Sequence, residues 1–282
     1  MSKGIEEQKN PHLNDVGGRI SAEIAWESLS RYLLFLRHKK AYLYARPFCK
    51  GKRILDYGCG NGYGSFLLAG TSLHVTAVDI NPEIIRACQQ KYQRPNLSFQ
   101  LVEPGKTTNF PGSSFDVVVS FQVIEHVHDV TGYLNQLKQV LKDDGVLMIT
   151  TPNRKHRLYP LQKPSNPYHL REYGLRQLRE QLNSLFKHVT ILGVSGSDEI
   201  NAIEYKRVKK TLLKNFVPGS VKSWLKSSLF KFPGRKNSSP GETKSLVPLE
   251  EKILNKYSVD DYVILEEGVG KGLDFLSILR KN

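Results

Sequence analysis

The sequence predicts a doubly wound α/β protein on a mostly parallel sheet, and three observations carry that expectation. Over residues 52–151 short apolar runs alternate with helical stretches, which is the signature of βαβ repetition. One such run, Ile54-Leu55-Asp56-Tyr57, enters Gly58-Cys59-Gly60-Asn61-Gly62-Tyr63-Gly64, a loop with glycine at every second position. A second run ends in Ala77-Val78-Asp79-Ile80, placing an acid twenty-one residues beyond Gly58.

The elements follow in order. Ile24, Trp26, Leu29, Tyr32, Leu33 and Leu36 predict an amphipathic helix over 20–45. Seven strands are expected, at 53–57, 74–79, 97–102, 115–121, 146–151, 189–194 and 273–279. Tyr133, Leu134, Leu137, Val140 and Leu141 recur at helical spacing before a stop at Asp143-Asp144-Gly145. Leu175, Leu178, Leu182 and Leu185 mark another helix. The chain thus divides into a helical lead-in (1–50), an α/β core (51–195), a helical insert (196–257) and a closing segment (258–282). In the insert, Val208, Leu212, Leu213, Phe216 and Val217 predict one helix, ended by Pro218-Gly219. Val221, Trp224, Leu225 and Leu229 predict a second, and residues 232–244 read as a loop.

Charge narrows the partners. The 282 residues hold 41 Lys and Arg against 27 Asp and Glu, a net +14. Ten of the bases fall within 205–241, where there is no acid, and Phe216, Trp224, Leu225, Phe230 and Phe232 lie among them. An apolar edge beside a cationic edge suits peripheral contact with an anionic membrane, although an ordinary solvated helix pair or a nucleic-acid arm would share the composition. No apolar run approaches the ~20 residues of a membrane span. The first fifteen residues are polar, and Cys49, Cys59 and Cys88 have no metal-binding or disulfide spacing. The expectation is a cytoplasmic protein without a metal site; oligomeric state is left open.

The glycine loop lets a ligand lie against backbone. A dinucleotide fingerprint would need its third glycine at position 63, which is Tyr63. Asp56 would repel a pyrophosphate but suits an ammonium group. Asp79 can accept both hydroxyls of a ribose, or cap the helix that starts at Pro82; at this distance from the loop it favours an adenosine-type ligand.

These residues resemble motifs of the class I S-adenosylmethionine-dependent methyltransferases. The likeness continues through Phe115-Asp116-Val117-Val118-Val119-Ser120, Val123-Ile124-Glu125-His126-Val127, Gly145-Val146-Leu147 and Thr151-Pro152-Asn153, covering about residues 50–195. It implies a Rossmann-like seven-stranded sheet with its last strand, near 274–281, antiparallel. It implies S-adenosylmethionine as cofactor, held by Asp56, Gly58, Cys59, Gly60 and Gly62 at its methionine part. Asp79 would take the ribose, Ile80 the adenine face, Glu103 the adenine amino group, and Phe121 and Gln122 the methionine end. Relatives usually carry Asp where this chain has Glu103-Pro104-Gly105.

For the acceptor, a hydroxyl needs a base. His126 is the first candidate, with Glu125 beside it, and a histidine there serves equally to order its loop by hydrogen bonding. His169 is the second, in Asn166-Pro167-Tyr168-His169-Leu170-Arg171-Glu172, a stretch similar to one found among sugar-modifying methyltransferases. The resemblance therefore implies methyl transfer to a small-molecule or glycan/lipid-linked acceptor. A quinone-ring O-methyltransferase and a cofactor-binding protein without catalysis are the competing readings. Ser120-Phe121-Gln122-Val123 stands where base-amine methyltransferases carry N/D-P-P-Y/F, which weighs against nucleic acid.

Overall fold

The computed structural model describes residues 28–103, 110–158, 162–164, 166–216 and 251–281. The lead-in before residue 28, the second insert helix and the 232–244 loop lie outside them. Ser28 caps α1 (Leu29–Ala45), its side chain accepting from the Arg31 amide. The chain then runs through β1 (Arg53–Tyr57), α2 (Tyr63–Ala69), β2 (His74–Asp79), α3 (Pro82–Lys91), β3 (Leu97–Leu101), β4 (Phe115–Phe121) and α4 (Val130–Val140). β5 (Leu141–Pro152), α5 (Leu175–Asn183), β6 (His188–Gly196), α6 (Asp198–Phe216), α7 (Glu251–Lys256), β7 (Tyr262–Leu265) and β8 (Asp274–Arg280) complete it.

The strands form one sheet in the order β3-β2-β1-β4-β5-β8-β6-β7. β1 to β5 are mutually parallel, β8 inserts antiparallel between β5 and β6, and β7 pairs antiparallel with β6. Alternate residues feed two cores: Ile54, Val117 and Val119 face α1, α2 and α3, while Leu55, Val118 and Leu147 face α4 and α5. Both faces of the central strands are covered, which is why they read as unbroken apolar runs.

Two expectations change. Among the described residues the sheet has eight strands, not seven, because Tyr262–Leu265 adds a short edge strand between acidic pairs, too brief to show alternation. β5 begins at Leu141, which pairs with Phe115 before the register shifts to Val117↔Val146. The turn Asp143-Asp144-Gly145 therefore interrupts a strand rather than ending a helix, and α4 stops at Val140. The strand order reverses between β1 and β4, and ligands of such sheets bind outside the carboxyl ends at that switch point.

Candidate active site

β1 delivers the glycine loop to the switch point. Gly58, at φ +80°, has no room for a side chain, since a Cβ would stand 2.5 Å from Val123 Cγ2. Gly60, at φ +52°, differs: nothing lies within 4 Å of where its Cβ would be. The loop thus offers bare backbone to an open cradle. Gly64 serves packing instead, as a Cβ there would fall 2.1 Å from the Tyr42 ring of α1. Cys59 is buried beneath the loop, its amide donating to Val78 O.

Both acids of this side are buried and partnered. Asp56 accepts from Ser65 Oγ at 2.6 Å and from Tyr42 Oη at 3.2 and 3.3 Å. Burial nevertheless pushes its carboxyl up to about 7. Asp79 accepts the amides of Gly60 and Asn81, each at 3.0 Å, which ties the tip of β2 to the glycine loop. The cap of α3 is Asn81, whose side chain accepts from Glu83 and Ile84, so Asp79 is not needed as a cap. Beside it Ile80 is half exposed, an apolar surface at the rim. Glu103 is exposed just past β3.

The β4 end builds the opposite wall. Phe121 is buried edge-on against Tyr42, with centroids 4.8 Å apart. Gln122 follows at φ +58°, a left-handed backbone that a non-glycine residue holds only where its surroundings impose it. Its amide Nε2 donates to Thr150 Oγ1 at 3.2 Å and to Asp274 Oδ2 at 3.3 Å. Asp274 in turn sits 2.9 Å from Arg37 Nε in an ion-pair contact, and Arg37 Nη1 donates to Glu204 of α6 at 3.3 Å. All three are buried. Burial would raise Glu204, yet Arg37 and Arg207 hold it below the usual carboxylate range.

Beyond Gln122, the short turn Ile124–His126 carries Glu125 and His126, and Val123 at its start is the side chain packed on Gly58. His126 is therefore one turn from the glycine loop. The segment 166–172 folds onto this turn, with the Leu170 amide donating to Glu125 O at 2.9 Å. His126 Nδ1 lies 2.8 Å from Tyr168 O, an atom that only accepts, so Nδ1 carries the proton and Nε2 the lone pair. The His169 ring stands edge-on to His126, centroids 4.8 Å apart. Its Nδ1 is 3.0 Å from Glu172 Oε1, which also accepts from Arg157 Nε at 3.0 Å. Burial would raise Glu172, but His169 and Arg157 hold it below its ordinary range.

Glu125 is fully buried. Thr151 Oγ1 donates to its Oε2 at 3.1 Å, its Oε1 has no hydrogen-bond partner, and burial pushes the carboxyl up to about 8. One ligand-capable atom each from Glu125, His126 and His169 lies within 4.8 Å of the others. The fold thus brings together all three residues that the sequence offered as acid–base candidates. Sequence reasoning missed Tyr42 and Ser65, which bond Asp56, and it missed Arg37, Arg157 and Asp274, which no local period links to their partners; it quoted Glu172 without a role.

Comparison with known proteins agrees with this geometry. Residues 49–209 match the model of a methyltransferase domain. A probable S-adenosylmethionine-dependent methyltransferase of Mycobacterium tuberculosis is 36% identical over 149 residues, 52% of this chain and 53% of that protein. A ubiquinone biosynthesis O-methyltransferase of Actinobacillus pleuropneumoniae is 31% identical over 117 residues, 39% of this chain and 50% of its own length. The chain spans about half the length of these curated relatives. A putative methyltransferase of Haloferax volcanii, solved with the Trm112 activator, shares the fold at a TM-score of 0.54 and 17% identity, over 91% of this chain and 94% of that one. A glycine loop, an acid at the tip of β2 and a family model spanning more than half the sequence converge: the chain belongs to the class I S-adenosylmethionine-dependent methyltransferases.

Proposed function

We propose that the protein transfers the methyl group of S-adenosylmethionine to a hydroxyl of a small-molecule or glycan/lipid-linked acceptor. The observation that carries the acceptor half of this reading is the meeting of Glu125, His126 and His169 one turn from the glycine loop. When bound, the cofactor supplies an electrophilic methyl on a sulfonium, so the protein's task is mainly position.

The residues fit that group. The space over Gly60 admits a ligand against backbone, Asp79 can add ribose hydroxyls to the amides it accepts, and half-exposed Ile80 offers an apolar face to adenine. Gly58 and Gly62 shape the loop, Cys59 supports it from below, and Asp56 sets a carboxylate under the ammonium end. Phe121 and the left-handed Gln122 close the methionine end, and Glu103 lies at the adenine edge. On the far wall the hydroxyl proton is drawn off at the His126–His169 pair, whose tautomers Tyr168 and Glu172 fix.

A second reading, a ring hydroxyl on a membrane-dissolved quinone precursor as acceptor, has one specific support, the match to a ubiquinone biosynthesis O-methyltransferase. In that case the basic segment 205–241 would rest on anionic lipid. Incubating the protein with S-adenosylmethionine and separate panels of sugars, glycolipids and catechols decides between them. Formation of S-adenosylhomocysteine only with catechols would favour the second reading. Absence of turnover with every hydroxyl acceptor, despite cofactor binding, would count against both.

A further inference from the structure

We propose that Glu125, His126 and His169 form a site for one divalent transition-metal ion, of the Zn2+ or Mn2+ kind, that holds the acceptor hydroxyl. The proposal rests on the reading that this cluster faces the acceptor. Two imidazoles and one carboxylate are a recurrent donor set for such ions, leaving positions open for substrate.

Geometry supports it first. With bonds of about 2.1 Å, two ligands of one ion stand at most about 4.2 Å apart. One ligand-capable atom of each residue, a ring nitrogen or a carboxylate oxygen, lies within 4.8 Å of those of the other two before any ion draws them in. Tetrahedral ligands stand about 3.4 Å apart, so a shift of about 0.7 Å on each side closes the widest gap.

The surroundings of the ligands point the same way. A metal-bound histidine almost always donates its other ring N–H to a carboxylate or a backbone carbonyl, which orients the ring and raises its basicity. Both histidines already do so: His126 Nδ1 to Tyr168 O, and His169 Nδ1 to Glu172. Each ring is thereby left with its lone pair on Nε2. Glu172 is anchored by Arg157, and Glu125 is oriented by Thr151 through one oxygen while the other is buried with no hydrogen-bond partner. A buried oxygen with no donor costs free energy that a cation would remove. Among the described residues no lysine or arginine pairs with Glu125.

With the ion in place, the acceptor hydroxyl coordinates to it and becomes more acidic, as metal-bound water does. Its proton passes to solvent water, the oxygen forms a bond to the methyl carbon as the sulfur–carbon bond breaks, and the sulfur leaves as an uncharged thioether. His126 and His169 then contribute by holding the ion rather than by keeping the proton.

The test uses the full chain stripped with a chelator and titrated with Zn2+ by calorimetry and with Mn2+ by electron paramagnetic resonance. One ion per chain is expected. Glu125→Gln, His126→Ala and His169→Ala should each weaken it by at least about tenfold, while Glu172→Gln weakens it by ~10- to 100-fold through ring orientation. S-adenosylmethionine binding, measured alongside, should stay unchanged and reports that each variant is folded. The His169 side chain keeps 7% of its surface exposed where Glu125 keeps none, so its variant carries the test if Glu125→Gln does not fold. Absence of binding up to millimolar ion, or binding indifferent to the three substitutions, overturns the proposal. Full methylation by the stripped protein in chelator would also overturn it while leaving the methyltransferase reading intact. Ion binding at the three residues without turnover on any hydroxyl would uphold the site and sink that reading instead.

Discussion

The two walls of the cleft are built on opposite terms. On the cofactor wall, Asp56 and Asp79 are buried with both oxygens taken, Asp56 by Ser65 and Tyr42, Asp79 by the amides of Gly60 and Asn81. On the acceptor wall and in the helix that backs it, buried polar atoms are left without hydrogen bonds. His38 Nε2, Glu125 Oε1, Glu172 Oε2, Tyr173 Oη, Asp274 Oδ1 and Ser277 Oγ are of this kind, and among the described residues no side-chain atom of Asp56, Asp79 or the glycine loop is. Such atoms are rare in native proteins, and each calls for a partner such as a water or an ion. The contrast teaches that one wall is pre-satisfied for a fixed ligand while the other is held in an incomplete state.

The largest effect should come from the acceptor wall. His126→Ala should lower turnover by ~10²–10⁴ while cofactor affinity holds, as steady-state rates with calorimetry would show. Equal loss of both would erase the division between the walls. Next, Arg37→Met should cost ~3–5 kcal/mol of stability, because it strands Asp274 and Glu204 in the interior. A urea midpoint unchanged from the parent would mean that this network carries no structural load.

On the cofactor wall the effects are smaller. Asp79→Ala should weaken S-adenosylmethionine by ~1.5–3 kcal/mol, the worth of a charge-assisted hydrogen-bond pair, without changing the acceptor KM. Asp56 gives a pH test with two opposite signs. Its folded carboxyl titrates at about 7, above its ordinary 3.8, so its contribution to stability is full below 3.8 and is lost as pH rises toward 7. Cofactor affinity should move the other way, rising up to ~10-fold per pH unit below 7 and levelling above it, since an ammonium needs the ionised form. Calorimetry across pH 5.5–8.5 should show this slope, and Asp56→Asn should flatten it.

The smallest effect per residue belongs to the basic segment. Lys209, Lys210, Lys222 and Lys226 should each add about 1 kcal/mol to binding of anionic vesicles. Replacing all four with Ser should abolish salt-sensitive co-sedimentation without touching cofactor affinity. Equal binding to neutral vesicles would return the segment to an ordinary solvated face.

The same contrast governs what could be read from sequence. The cofactor wall is made of short contiguous runs, so a strand, a glycine loop and an acid at a fixed distance expose it directly. The acceptor wall joins residues 37, 125, 157, 172, 204 and 274, and no local period links them. His126 and His169 were legible as separate candidates, but their edge-on meeting and the carboxylate behind them arise only when 166–172 folds onto the β4 turn. The strained backbone of Gln122 left no trace either, because glutamine carries no preference for that conformation. β7 escaped notice since four residues cannot establish alternation.

The position of β8 has a consequence for how the molecule is made. It follows every other described strand in the sequence, yet it lies inside the sheet, hydrogen-bonded to β5 on one side and β6 on the other. Until it emerges from the ribosome, two long apolar strands present open edges, the surfaces on which nascent chains mispair and aggregate. Asp274, at its first position, arrives with it. The contacts of Arg37 and Gln122 with Asp274 can therefore close only once β8 has been made, so a variant without 274–282 would retain the glycine loop and lose the lock on the opposite wall.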